Sequence, residues 1–222
     1  MSWWTRLWGK ADESSPPAPL DQIHAVHLEI GEWKEEQPEG DMRQWLNSYR
    51  DLLTLAIFGN LDHPPLSQEA AWQRWSRQVA EGRKAGLIEV RPYSGKNGAA
   101  MGLIYKNLNK PAYVFTGVLI FPKGNISQLW TVMAGEKGMT GVREALVSGE
   151  LFESGSYTIQ DYQNSFAQDP YEPNYHGVDR SVLHFVSDDE RYDERFPHHP
   201  LTRVRQTLAA LPDRVAVLPQ IV

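Results

Sequence analysis

The sequence predicts an α+β fold: an α/β/α sandwich around a mainly antiparallel sheet, wrapped by a C-terminal extension. Three observations predict it. Residues 113–121 are apolar on both strand faces, with Tyr113, Phe115, Gly117, Leu119 and Phe121 on one side and Val114, Thr116, Val118 and Ile120 on the other. Successive side chains alternate across a strand, so a strand apolar on both sides has to be covered on both. The strands around it are joined by short, turn-rich links (SGKNG, NLNK, PKGNI), which make consecutive strands antiparallel neighbours. Amphipathic helical stretches precede and follow this run and supply the cover.

Taken in order, residues 1–9 carry Trp3, Trp4, Leu7 and Trp8 at helical spacing, with Thr5 and Arg6 off that side. Residues 10–20, KADESSPPAPL, are a linker by composition: acidic, serine-rich, and held extended by Pro16, Pro17 and Pro19. A tryptophan-rich peptide on a tether implies a place for it to dock. The sandwich itself is expected over residues 21–153. It starts with a strand over 24–30, in which Val26, Leu28 and Ile30 face inward. A charged loop, GEWKEEQPEG, follows, with Trp33 as its aromatic anchor. Residues 42–47 and 52–58 read as a hairpin. After His63, Pro64 and Pro65, Ser67 is the expected N-cap of a helix running to about Lys84. Its apolar stripe is Ala71, Trp72, Trp75 and Val79, while Arg74, Arg77 and Arg83 read as solvated. Strands are expected over 87–93, 99–106, 113–121 and 128–134, then a helix over 141–152 with Val142, Ala145, Leu146 and Gly149 turned to the sheet.

Residues 154–222 change in character, with tyrosines, prolines and acids dominating, and are expected to pack on the sandwich as an extension. A short helix over 158–167 and a strand-like piece over 180–186 precede an amphipathic helix over 201–211. Its stripe is Leu201, Val204, Leu208 and Leu211, and Pro212 is expected to end it.

Composition excludes several classes of function. The chain has no cysteine, which removes disulfides, thiolate nucleophiles and every sulfur-ligated zinc site, and suits a reducing compartment. A formal charge of −6 without a basic stripe argues against nucleic-acid binding. No run of about 18 apolar residues is present, and Arg6 and Lys10 interrupt what a secretory core would need. A cytoplasmic protein is the expectation.

The order of elements over residues 26–152 resembles the PsbP-like fold, the layered sandwich of photosystem II PsbP proteins, bacterial DcrB-type proteins and a Ran-GTPase release factor of nuclear transport. The features that carry the resemblance are GEW after the first strand, the early hairpin, the helix over 67–84, and the meander ending in AGEKGMTGVREAL. The resemblance implies non-enzymatic binding roles, as in chaperones on a similar fold that cradle apolar client segments. It places no binding residue on a numbered position of this chain.

Chemical constellations are few. Gly135, Gly138 and Gly141 lie between a strand and a helix, but no Lys–Ser/Thr pair follows and Glu136 would repel phosphate, so turn glycines explain them better. His24 and His27 fall on opposite strand faces, and adjacent His198 and His199 diverge in an extended segment. Asp188, Asp189, Glu190, Asp193 and Glu194, interleaved with Arg191 and Arg195, read as a solvated charge run rather than metal ligands. No metal or other cofactor is expected, and a chelator is expected to leave the melting temperature unchanged. The acids Glu35 and Glu36 sit in an exposed-looking loop, and no nucleophile elbow is present. The strongest signal is Trp3, Trp4, Leu7 and Trp8, read as partner-binding residues. The peptide has three open fates: folding back on its own domain, entering a partner's groove, or lying on a membrane surface. With only Arg6 and Lys10 basic and Asp12 and Glu13 next, the partner ranks above the membrane. The expected function is therefore a non-catalytic protein-binding domain of the chaperone or adaptor type. The alternatives are a small hydrolase or ligand-binding enzyme at the 135–141 loop, or a peripheral membrane protein.

Overall fold

Strand alternation and helical periodicity place most elements where the sequence predicts them. A computed structural model describes Leu28 and residues 31–37, 42–59 and 61–215. The tryptophan peptide with Trp3, Trp4, Leu7 and Trp8, and most of the strand expected over 24–30, lie outside these described residues.

The strands are β1 (Lys34–Glu35), β2 (Arg43–Leu46), β3 (Leu52–Gly59), β4 (Gly86–Gly95), β5 (Gly98–Asn109), β6 (Ala112–Lys123) and β7 (Ile126–Gly135). They form one seven-stranded sheet in the order β1-β2-β3-β7-β6-β5-β4, antiparallel at every pairing. β6 lies near the middle, as its two apolar faces require. A first core holds Phe115, Leu119 and Phe121 with Trp33, Trp45, Leu53, Leu55 and Trp130. A second, on the opposite face, holds Val118 and Ile120 with Leu103, Tyr105, Leu129 and Trp72. The anchor role expected of Trp33 holds, although the loop around it contributes the short β1.

Helix α1 (Glu69–Glu81) covers the second core through Trp72 and Ala80. It starts one residue later than expected, and its N-cap, Gln68, makes no side-chain capping bond. Arg77 and Arg83 are not solvated. Arg77 holds Asp169 through two bonds of 3.0 and 2.8 Å, while Arg83 donates to the Tyr105 hydroxyl.

The helices that follow are α2 (Val142–Glu153), α3 (Ile159–Ser165) and α4 (Pro200–Arg214). Between them run the small pair β8 (Ala167–Gln168) and β9 (His184–Phe185) and three 3-10 turns over Arg180–Val182, Val186–Asp188 and Glu190–Arg195. Helix α4 roofs the first core, with Leu201, Val204, Leu208 and Leu211 all fully buried as the stripe predicts. Gly117 is what lets it approach β6: a Cβ there would stand 2.6 Å from Val204 Cγ1 and 2.9 Å from Leu208 Cδ1. Pro212 falls inside α4 rather than ending it, and the next residue past the helix, Val215, bridges Leu28.

Helix α2 departs from expectation. The stripe assigned to the sheet faces outward, leaving Val142 and Leu146 exposed, while Arg143 and Val147 turn inward. Helix α4 covers the first core of the sheet with an unbroken apolar stripe. Arg143 meanwhile finds, on the inner side of α2, the only kind of place a buried guanidinium tolerates, one rich in acceptors.

Candidate functional site

A buried polar layer joins α2, the turns over 186–195 and α4. Lys106 on β5 and Asp188 are both fully buried and form an ion pair at 2.6 Å. The Lys106 ammonium also lies 3.3 Å from the centre of the Phe185 ring. Burial alone would push the Asp188 carboxyl up, but Lys106, His184 and a bond from the Phe185 N–H hold it below the usual carboxylate range. Asp188 is therefore no part of a solvated run. Arg143 donates to Ser187 O (2.6 Å), Asp189 O (2.9 Å) and Thr202 Oγ1 (3.1 Å), and lies 2.9 Å from Asp193. Arg205 reaches Glu89 at 2.7 Å, Asp188 O at 2.7 Å and Asp193 at 3.0 Å. These two arginines fasten the aperiodic segment between the helices, where few apolar contacts are available.

At the edge of this layer stand Glu136, Glu144 and His199, whose ligand-capable atoms lie within 4.8 Å of one another. Each is placed by a different element. Glu136 follows β7, and its two oxygens accept from Tyr113 N (3.0 Å) and Gly141 N (2.9 Å), which fixes the 135–141 loop. Gly141, at φ 71°, is the left-handed N-cap of α2. Glu144 sits in the first turn of α2 with both carboxyl oxygens buried and without a hydrogen-bond partner. Burial and then Asp188 push its carboxyl above the usual range. His199 caps α4 by accepting from Leu201 N at 3.3 Å through Nδ1, and its ring packs edge-on to Phe115. Its Nε2, 3.9 Å from Glu136, makes no hydrogen bond. Burial, with Arg143 adding to it, draws the imidazole down to about 3, so it is neutral. His198 diverges from it as expected, meeting Tyr49 Oη at 2.9 Å.

A cleft of about 270 Å³ opens onto Glu136 and His199, walled also by Tyr49, Lys137, Met139, Val142 and Arg203. It lies at the loop the enzyme alternative points to. Among the described residues no Ser, Thr or Cys lines it, and the Tyr49 hydroxyl is engaged by His198.

The second surface feature is apolar. Met139 and Ile159 are 84% and 72% exposed, and Leu146 is 50% exposed, with Val142, Phe152 and Tyr162 also open to solvent. Residues 142, 145, 146, 149 and 152 share one side of α2 by the 3.6-residue repeat. Phe152 continues that stripe onto α3 through the Tyr162 ring, 5.6 Å away.

No family model matches the chain, and no curated protein matches it. Among solved structures, the Ran-binding protein Mog1p of Saccharomyces cerevisiae is 10% identical, with 72% of this chain and 93% of that chain covered and a TM-score of 0.40. A Mog1 mutant is 9% identical over 55% of this chain and 76% of its own, with a TM-score of 0.35. A protein of Bacteroides thetaiotaomicron is 14% identical over 56% of this chain and 42% of its own, with a TM-score of 0.32. Likenesses of this size fix neither family nor activity. Among the described residues, no helix is long and apolar enough to cross a membrane.

Proposed function

We propose that the chain is a non-catalytic protein-binding domain of the adaptor or chaperone type, working in the cytoplasm. Its partner surface is the outward side of α2 with the start of α3. The observation that carries this reading is the orientation of α2, whose apolar stripe faces water while its arginine is buried. A contiguous exposed apolar patch is uncommon on a protein that acts alone and marks a surface that is covered in use. Glu153 lies exposed on α2 with Glu150, which pairs with Arg195, and Asp161 caps α3 with Thr158. The occupant that fits is an amphipathic segment of a protein partner, apolar on one side and basic at its margins. Trp3, Trp4, Leu7 and Trp8, on the 10–20 linker, are proposed as a second docking element.

The test uses a labelled helical peptide with leucines at i, i+3, i+4 and i+7 and lysines elsewhere, against a scrambled peptide of identical composition. The full-length protein is expected to bind the first at least tenfold more tightly by fluorescence anisotropy. Leu146→Glu combined with Ile159→Glu should abolish that preference while changing stability by only about 0.5 kcal/mol, because both side chains are exposed. Equal binding of the two peptides, or a preference untouched by the double substitution, sinks the assignment of this surface.

A further inference from the structure

The cluster of Glu136, Glu144 and His199 takes no part in the surface proposed above. Its charges do not balance. Lys106 is committed to Asp188 at 2.6 Å, and Arg143 is spent on Asp193 and the carbonyls of the 186–195 turns. Glu136 and Glu144 are left facing one another without a cation between them. Two independent observations show that the vacant coordination is aimed inward. Both oxygens of Glu144 are buried and unpartnered, and His199, whose side chain is 9% exposed, directs an unpartnered Nε2 at the carboxylates. The cleft over the 135–141 loop gives small solutes a way in.

We propose that Glu136, Glu144 and His199 bind a divalent first-row transition cation, such as Zn²⁺ or Mn²⁺. Two carboxylates and one imidazole suit that class, whereas Mg²⁺ and Ca²⁺ prefer oxygen alone. Metal–ligand bonds of about 2.0–2.2 Å bring ligand atoms to roughly 3.3 Å of one another, so the present spread of up to 4.8 Å has to close by as much as about 1.5 Å. Glu144 can supply most of that movement because it breaks no hydrogen bond in moving. Binding at Nε2 requires the imidazole proton to sit on Nδ1, which gives up the long 3.3 Å bond from Leu201 N. The remaining coordination positions would be filled by water. The ion would tie the end of β7, the start of α2 and the start of α4 to one another.

The test is isothermal titration of the full-length, chelator-stripped protein with ZnCl₂ and with MnCl₂, beside Glu144→Gln and His199→Gln. One site per chain is expected for at least one of the two ions, with affinity reduced at least tenfold by either substitution and unchanged by His198→Gln. Co²⁺ added to the wild-type protein should give the intense visible bands of a site with fewer than six ligands, which needs no variant to fold. In EDTA, Glu144→Gln should melt at or near the wild-type temperature, since the carboxyl it replaces accepts no hydrogen bond from another residue. Absence of a saturable site for both ions, or a site indifferent to both substitutions, overturns the proposal. Failure of the peptide test above would leave this result untouched, because Glu136, Glu144 and His199 are not among the exposed apolar residues of that surface.

Discussion

Removing the Lys106 ammonium, by Lys106→Met, isolates a fully buried ion pair. Methionine has a similar length and no charge, so the packing against Phe185 is largely kept while Asp188 loses its partner. Both groups are fully buried, so solvent cannot replace the ammonium. Breaking a buried pair from one side costs about 3–5 kcal/mol, because it strands the other charge. For a domain of this size each kcal/mol moves the melting temperature by about 2–4 °C, which gives a fall of roughly 6–20 °C. Lys106→Met with Asp188→Asn should recover more than half of the loss, because asparagine keeps an acceptor for Phe185 N and carries no charge. The penalty should also depend on pH. Asp188 is depressed in the native protein, so the stability it contributes is present above the unfolded carboxylate value near about 3.9 and is lost as pH falls through its folded value. In Lys106→Met the unpaired carboxylate protonates at higher pH, and the gap to wild type should narrow on acidification. Urea denaturation followed by circular dichroism across pH 4–8 measures both effects. A Lys106→Met penalty below about 1 kcal/mol at pH 7, or a gap that widens towards acid, refutes the reasoning.

Two further outcomes follow from the geometry. Gly117→Val should destabilise the protein by about 1–3 kcal/mol in chemical denaturation, since its side chain would be driven into Val204 and Leu208; a neutral result would mean that α4 does not lie on β6. In metal-free buffer His199 should stay neutral far below an ordinary histidine, near about 3 against about 6.5 in the unfolded chain. The unfolded chain then holds the extra proton between those values, so stability falls as pH drops across that window; an imidazole that titrates near pH 6 by NMR contradicts this.

The polar layer bears on how residues 154–199 are held against the sheet. Residues 154–199 contain little regular structure, so their backbone cannot rely on long helical or sheet ladders. Arg77 with Asp169, Arg203 with Asp51, and Arg205 with Glu89 and Asp193 pin them and α4 to the sheet and to α1 at well-separated points. Guanidinium groups suit the task because their fixed fork meets a carboxylate through two bonds at once, as Arg203 does with Asp51 at 2.7 Å twice.

The sequence by itself determined the parts of the fold governed by short-range repeats. Two-residue alternation in 113–121 specified a strand covered on both faces, turn chemistry made the meander antiparallel, and the spacing of Leu201, Val204, Leu208 and Leu211 marked a helix with one buried side. Only the tertiary structure decided which helix takes which face. The stripes of α2 and α4 look alike as periodic patterns, and the choice rests on where Arg143 finds acceptors. The same holds for charge. Asp188, read as part of a solvated run, is fully buried against Lys106, and Arg77, read as solvated, is partly buried against Asp169. The Glu136, Glu144 and His199 cluster is drawn from a strand end and two helix starts, so no spacing could announce it. Periodicity is a property of neighbours along the chain, whereas the cost of burying a charge is set by whatever the fold brings against it.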